Sequence, residues 1–387
     1  MPRILIDITR LLYRRLVGRL PTGVDRVSLE YLRHYSGSAR AVLSLAPFGA
    51  VLSRADSALA FEVLLDGRAG AAGLVLRSMP KAVLWGWLNR DVSGCCLFNT
   101  GHMGLENGNY AVLLRRWGAR PVFVVHDLIP ITHPEYCRSG ERKRHVTRMR
   151  NALSIGCGII TNSQGTLEAL RTFSNAAGLS MPPAVVAPLA SGLPRLVPGP
   201  RPMERPYFVV LGTIEPRKNH WLLLQLWRRL IERLGEAAPR LLVIGQRGWE
   251  CENVADLLER CEPLRGFVTE HNACSDAELV TFLHHARALL FPSFAEGYGM
   301  PMAEALSLGV PVIASELPVF REIAGGVPDY ADPLDGRRWL ELIGDYTAAH
   351  SPMRAAQLKR MLDFRPTTWA QHLDTVDAFI ERLDCYG

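Results

Sequence analysis

Two doubly wound α/β domains facing a central cleft are what this sequence predicts, and three observations predict them. Short apolar runs rich in β-branched residues alternate with helix-compatible stretches in both halves of the chain. A proline-dense segment over residues 181–202 separates the halves. The length, 387 residues, is about two to three times that of a usual single domain. Repeated strand–helix units of this kind build parallel sheets with helices on both faces. The expected division is a first domain over 1–195, a second over 203–363, and a C-terminal helix over 364–387 packing back on the first.

In chain order, the first half has strand-like runs at 4–8, 121–125 and 158–161, followed by helical patterns near 24–34, 140–153 and 164–173. The apolar stretch 41–53, interrupted by Ser44, Pro47 and Gly49, reads as buried strands. In the second half, strands are expected at 207–211, 241–244, 267–269, 288–291 and 310–314, each with a helix after it.

Composition excludes several classes. Hydrophobic residues make up 48% and charged residues 21%, which a folded chain shows and a disordered one does not. No apolar run reaches the roughly 18 residues that span a bilayer. The first residues hold Asp7 inside their apolar run and lack the pattern of a secretory leader, so a cytoplasmic location is expected. The eight cysteines show no metal-ligand spacing and read as small buried hydrophobes of a reducing compartment.

The net charge of +6 is unevenly placed: 24 Lys and Arg stand against 12 Asp and Glu up to residue 200, and 20 against 26 after it. Much of the excess lies in Arg14, Arg15 and Arg19 and in the run Arg138, Arg142, Lys143, Arg144, Arg148, Arg150. That run is either a solvated helix face or a contact for an anionic membrane surface. Nucleic acid is not expected, because no nucleic-acid-binding motif accompanies the charge.

Open parallel α/β sheets bind ligands at the carboxyl ends of their strands, so the loops there carry the chemistry. In the segment Phe291–Ala305 a strand ends, Gly297-Tyr298-Gly299-Met300 turns, and Pro301 suits a first helical position. Free backbone N–H groups at such a helix start favour an anion or sugar hydroxyls. Glu296 and Glu304 supply acceptors of the kind that hold sugar or ribose diols. In Gly212-Thr213-Ile214-Glu215-Pro216-Arg217-Lys218-Asn219, Arg217 and Lys218 are placed to neutralise a diphosphate, Arg by forked hydrogen bonds and Lys as a point charge. In the first half, His126 and Asp127 directly follow a strand, Gly23 opens a helix, and Ser163 stands at another strand end as a helix cap or a contact.

These segments resemble the GT-B-fold glycosyltransferases of family 4, a retaining group that includes many bacterial mannosyltransferases. The Glu-x7-Glu pair matches Glu296 and Glu304, and Glu215 to Asn219 match the family's Glu-Pro-Arg-Lys-Asn segment. The resemblance implies two Rossmann-like domains, with Glu296 on the donor sugar, Glu304 on the ribose, the backbone of Gly297, Tyr298, Gly299 and Met300 on sugar or phosphate, and Arg217 and Lys218 on the diphosphate. His126 would face the donor from the first domain, and Gly23 would lie near the donor phosphate and acceptor. Gly212-Thr213 departs from the Gly-Arg of many members, so part of the usual phosphate clamp must come from Arg217 or elsewhere.

No Asp-x-Asp occurs, so no metal site and no cofactor are expected, and the cations take the charge of the leaving group. The function implied is transfer of a hexose, mannose-like, from a nucleoside diphosphate sugar, GDP-mannose-like, to a glycan or lipid-linked acceptor in surface polysaccharide assembly. Retention would follow from front-face attack, the departing phosphate accepting the acceptor's proton. The alternatives are a silent nucleotide-sugar-binding protein of the same fold and a nucleotide-sugar epimerase.

Overall fold

The structure, a computed structural model, describes residues 3–45, 48–66, 92–194 and 196–385. Pro47, of the expected buried-strand stretch, and Arg195, of the expected linker and domain end, lie outside the described residues. The chain divides into two compact units.

The first unit comprises Met1–Ile131, Arg142–Leu189 and Trp369–Gly387. Its elements run β1 (Ile4–Asp7), α1 (Thr9–Leu16), α2 (Gly23–Tyr35), β2 (Arg40–Leu45), β3 (Phe48–Val51), α3 (Arg54–Leu65), β4 (Cys96–Asn99), α4 (Gly108–Trp117), β5 (Arg120–Val125), α5 (Ile129–Thr132), α6 (Glu141–Ile155), β6 (Gly158–Thr161), α7 (Gln164–Ala177) and β7 (Ala184–Val186). They form a seven-stranded sheet in the order β3-β2-β1-β4-β5-β6-β7. All pairings are parallel except the edge strand β3, which runs antiparallel to β2. Strands β1, β4 and β6 are buried along their whole length, as expected where helices cover both faces of a parallel sheet.

The second unit comprises Thr132–Glu141 and Ala190–Thr368. It contains β8 (Tyr207–Leu211), α8 (His220–Leu234), β9 (Arg240–Ile244), α9 (Glu252–Arg260), β10 (Val268–His271), α10 (Asp276–His285), β11 (Leu289–Phe291), α11 (Met300–Ser307), β12 (Val312–Ser315), α12 (Pro318–Ala324), β13 (Asp329–Ala331), α13 (Gly336–Thr347) and α14 (Pro352–Met361). The sheet is wholly parallel, in the order β10-β9-β8-β11-β12-β13. Alternate residues of β8 feed two cores: Phe208 and Val210 pack with Trp227 and Trp339, while Tyr207 and Val209 pack with Phe291 and Phe320. The period of two along the strand sends them to opposite faces. The strand order reverses between β8 and β11, which makes that pair the topological switch point.

The last helix, α15 (Trp369–Cys385), belongs to the first unit. Asp377 accepts a 2.6 Å hydrogen bond from the Tyr35 hydroxyl and lies 2.9 Å from His34 Nε2. His372 donates through Nδ1 to the Ala187 carbonyl and accepts from the Tyr31 hydroxyl at Nε2. Phe379 and Leu383 close over Gly158, where an added Cβ would stand 2.7 Å from a Leu383 methyl.

Strand β4 and helices α3 and α4 had no counterpart in the sequence expectation, and three further features differ from it. Residues 132–141, expected inside the first domain, group with the second unit. There the Trp249 indole donates to the Tyr136 carbonyl at 3.0 Å, and the Tyr136 ring stacks on Phe294 at 5.6 Å and 7°. Strand β7 forms inside the expected irregular linker. It follows Pro182 and Pro183 at the sheet edge, where proline's missing N–H is tolerated. Helix α1 was not anticipated, because its eight residues have no acidic first turn and no side-chain cap to announce a start. No helix among the described residues is long and apolar enough to cross a membrane.

Because Gly158 lies directly under α15, Gly158→Val should overpack that contact and destabilise the protein by about 1–3 kcal/mol, with Gly165→Ala, in open space, as control. Thermal denaturation checks this; equal loss in both variants would mean that α15 is not held there.

Candidate active site

The loops that follow β8 and β11 emerge side by side at the switch point, and they carry the two segments singled out in the sequence. After β8 the chain makes a short 3-10 turn at Pro216–Lys218, then Asn219 takes a left-handed conformation (φ 56°) and starts α8. Asn219 Nδ2 donates to the Pro333 carbonyl at 3.0 Å, which secures this uncommon backbone. The start of the loop is tightly seated on the loop after β9: a Cβ at Gly245 would fall 1.9 Å from the Gly212 carbonyl oxygen, so only glycine allows the approach.

The turn places Arg217 and Lys218 against the loop after β11. Lys218 Nζ lies 2.6 Å from Glu296 Oε1, and Arg217 Nη1 lies 2.6 Å from Glu296 Oε2. Ser293 Oγ donates to Glu296 Oε1 at 2.8 Å, and Arg217 Nη1 also donates to the Ala295 carbonyl at 3.0 Å. The Phe294 N–H donates in return to the Arg217 carbonyl at 2.8 Å. Glu215 stands 2.6 Å from Arg217 Nε, so two carboxylates balance two cations in one cluster. The side chain of Glu296 is 7% exposed and that of Lys218 9%, whereas Arg217 keeps 20%.

Burial alone would push the Glu296 carboxyl up. The Arg217 and Lys218 charges outweigh it, with the Lys218 and Ser293 hydrogen bonds, and hold the group at about 2. Burial pushes the Lys218 ammonium down from its ordinary value, against the opposing pull of Glu296. Beside it, burial and the Lys218 charge push the His220 imidazole down to about 3, so it is neutral at the start of α8.

Past Glu296, Gly297 to Met300 lead into α11. Gly299 has φ 122°, and an added Cβ would stand 2.9 Å from the Phe320 ring, so this turn requires glycine on two counts. Pro301 occupies the first turn of the helix. Tyr298, between the two glycines, is buried. Glu304, one turn into α11, is 4% exposed.

Of the residues expected to act together, the structure joins Arg217, Lys218 and Glu296 in direct contact and places Gly297, Tyr298, Gly299, Met300 and Glu304 on the same loop and helix. His126 and Gly23 belong to the other unit. There His126 is buried after β5 and its Nε2 donates to the Thr100 carbonyl at 2.7 Å; burial pushes its imidazole down, so it is neutral. His102 (φ 58°) lies against it and in turn against His145, and both likewise donate through Nε2 to backbone carbonyls. Gly23 begins α2 behind a capping box formed by Thr22 and Asp25. Asp127 caps the next turn by accepting from the Ile129 N–H, and Ser163 caps α7 by accepting from the Thr166 N–H. Two participants had no role assigned from the sequence: Glu215, quoted only as part of the Glu-Pro-Arg-Lys-Asn segment, and Ser293. The signal for Glu215 was its place two residues before Arg217; Ser293 had none beyond proximity to Glu296.

With this geometry in hand, comparison with known proteins is decisive for one part of the chain. Residues 197–326 match the family described as "Glycosyl transferases group 1". The chain carries a glycosyl transferases group 1 domain. Both loops of the cluster and all of α11 lie inside the matched region. Similar proteins include the serotype-specific mannosyltransferase WbdA of Escherichia coli, 28% identical over 58% of this chain and 29% of that protein. The O-antigen chain mannosyltransferase B of Escherichia coli is 37% identical over 33% of each. The chain thus spans a third or less of the length of these relatives. Among solved structures, Anabaena HepE in complex with UDP-glucose is similar over 100% of both chains with a TM-score of 0.65 and 13% identity. The α,α-trehalose 6-phosphate synthase of Burkholderia multivorans is similar over 100% of both with a TM-score of 0.64 and 12% identity. At these identities the likeness establishes the fold: two parallel-sheet α/β domains of the GT-B type.

The cluster makes a pH-dependent contribution of definite sign. Because the folded-state value of Glu296 lies below its ordinary 4.5, the stabilisation is present above 4.5 and fades as pH falls toward about 2. Glu296→Gln should therefore cost about 3 kcal/mol at neutral pH, and the gap to the parent should narrow as the medium is acidified. The double variant Lys218→Met/Glu296→Gln, which leaves Arg217 paired with Glu215, should recover much of the loss. Denaturant titration across pH measures both; a constant gap, or no recovery, would contradict the pairing.

Proposed function

We propose that this protein is a retaining glycosyltransferase that moves a hexose, mannose-like, from a nucleoside diphosphate sugar to a glycan or lipid-linked acceptor during surface polysaccharide assembly. The observation that carries the reading is the Arg217–Glu296–Lys218 cluster on the two switch-point loops, beside the N-terminus of α11. Doubly wound sheets take nucleotides at this crevice, and a helix start receives phosphate oxygens on its free N–H groups. The similarity to E. coli mannosyltransferases, one of them an O-antigen chain enzyme, supports mannose and O-antigen chains. The UDP-glucose in the HepE structure supports a nucleoside diphosphate sugar as donor class.

In this reading Glu296 has two tasks. It holds Arg217 and Lys218 in fixed positions before the donor arrives, so little reorganisation accompanies charge growth on the leaving diphosphate. It also presents an acceptor to the sugar hydroxyls at the edge of the cluster. Glu304 receives the ribose diol. Arg217, the more exposed cation, and Lys218 stabilise the departing diphosphate, whose oxygen accepts the acceptor's proton as the acceptor attacks from the same face. His126, neutral and with Nε2 committed to Thr100, serves the donor from the first unit as a hydrogen-bonding group rather than as a cation. An anionic membrane surface is the partner proposed for the first unit, whose helix α6 exposes Arg142, Lys143, Arg144 and Arg150.

Incubation with a panel of nucleoside diphosphate sugars and a lipid-linked glycan primer tests the function. A GDP-mannose-like donor should be consumed with transfer and retained anomeric configuration. Donor binding without turnover would favour the silent binding protein, and sugar isomerisation without an acceptor the epimerase. Because charge on the leaving group grows in the transition state, Lys218→Ala should lower kcat more than it raises the donor KM. Unchanged kcat in a folded variant would remove Lys218 from the mechanism.

A further inference from the structure

The first unit exposes an apolar hook that its fold does not use. Tyr13, Leu16, Val17 and Leu20 are 50%, 44%, 47% and 48% exposed, four large hydrophobic side chains within eight residues. Tyr13, Leu16 and Val17 follow the spacing of one helix face at the end of α1, and Leu20 stands in the turn after it, its carbonyl bonded to Arg14. The opposite side of α1 is already filled, with Leu11 and Leu12 buried against the unit. The segment is apolar on both sides, and only one side has a partner within its own unit. An exposed cluster of this kind marks a contact surface more often than chance decoration.

The hook is also held in shape. Asp25, 1% exposed, pairs with Arg10 Nε at 2.8 Å and Arg14 Nε at 2.7 Å and accepts from the Thr22 N–H at 2.7 Å. Arg14 then donates through Nη2 to the Leu20 carbonyl, and the Arg19 N–H donates to the Arg14 carbonyl. The apolar tip is therefore presented by a buried ion-pair cluster rather than by a loose loop. Around it the charge has one sign: five arginines stand against one aspartate from residue 10 to residue 26. Arg19 is exposed and Arg15 half-buried.

We infer that residues 13–20 dock the protein on an anionic bilayer, with Tyr13, Leu16, Val17 and Leu20 entering the headgroup boundary and Arg15 and Arg19 meeting lipid phosphates. Apolar side chains flanked by cations are the chemistry of an interfacial membrane contact, and charge complementarity selects an anionic lipid surface over an apolar protein groove. Helix α6 makes a poorer anchor. Arg148 is committed to Glu106 at 3.0 Å, and the helix shows no exposed apolar cluster beside its cations. The hook runs directly into Thr22 and Gly23 at the start of α2, the turn expected near the acceptor. This inference rests on the proposal of a membrane-borne acceptor and names the surface that would meet it.

Co-sedimentation with phosphatidylglycerol-containing vesicles, against pure phosphatidylcholine vesicles, is the test. The parent should bind only the anionic vesicles, with weakening in salt. Leu16→Ser/Val17→Ser/Leu20→Ser and Arg15→Ser/Arg19→Ser should each lower partitioning by roughly tenfold or more, whereas Arg142→Ser/Lys143→Ser should lower it much less. As a direct probe, Val17→Trp should shift its fluorescence to the blue on vesicle binding and be quenched by brominated acyl chains. Binding lost with the α6 pair and kept in the hook variants, an unquenched Val17→Trp probe, or no vesicle binding by the parent would overturn the inference. Transfer to a detergent-dispersed primer in the absence of vesicles keeps the two readings apart: preserved transfer with failed docking refutes the hook alone, and absent transfer refutes the transferase.

Discussion

A single carboxylate organises the second unit's candidate site. Glu296 reaches across the switch point from the loop after β11 and binds, with one oxygen each, the two cations that the loop after β8 delivers. Each of these groups would be costly to bury alone, since an unpaired charge in a protein interior is destabilising by several kcal/mol. Together they fix the relative position of two loops that the backbone joins through the pairing of β8 and β11 at Leu289 and Val209 and the Phe294 N–H bond to the Arg217 carbonyl. The second shell follows the same logic: Glu215 balances Arg217, Ser293 satisfies Glu296, and the Phe294 N–H satisfies the Arg217 carbonyl. Because the charges nearly cancel, the cluster is stable without a ligand. Because Arg217 remains partly exposed, it still offers a cation to an incoming anion.

The first unit holds its functional candidates by a different device. Three imidazoles, on His102, His126 and His145, each donate through Nε2 to a backbone carbonyl and lie ring against ring at 5.5 and 5.9 Å. Burial, joined at His102 by the neighbouring rings, pushes His102 and His126 down, so these two groups offer hydrogen bonds without charge. Among the described residues, the positive balance of this half therefore comes from its arginines and Lys143, not from these imidazoles.

Much of this was legible in the sequence because strand ends in a parallel sheet are where apolar runs stop and polar residues begin. The runs ending at Leu211 and Phe291 located Arg217, Lys218 and Glu296 to within a turn of their structural positions. The partnership among them was not legible: residue type and place suggested cations for a diphosphate, the family resemblance implied Glu296 on a sugar, and neither told that all three are joined by ion pairs. The roles of Asp127 and Ser163, left open by the sequence, resolve as caps, since each accepts from a backbone N–H two or three residues ahead. What escaped entirely depends on tertiary context. Helix α1 has Ile8, not a polar residue, at its N-cap, β7 hides among prolines, and residues 132–141 join the second unit through the Tyr136–Phe294 stack and the Trp249 hydrogen bond.

The central claim is that the Glu296-anchored cations receive a nucleoside diphosphate, and the increment in affinity from nucleoside monophosphate to diphosphate measures it most directly. Calorimetric titration of the parent and of Arg217→Met with GMP and GDP, and with the UMP and ADP series, isolates the contribution of the second phosphate. The account predicts that the diphosphate binds at least about tenfold more tightly than the monophosphate, equivalent to roughly 1.4 kcal/mol, and that Arg217→Met removes most of that increment while leaving the monophosphate affinity nearly unchanged. Equal affinities for mono- and diphosphate in the parent, or an increment that survives Arg217→Met, would contradict it.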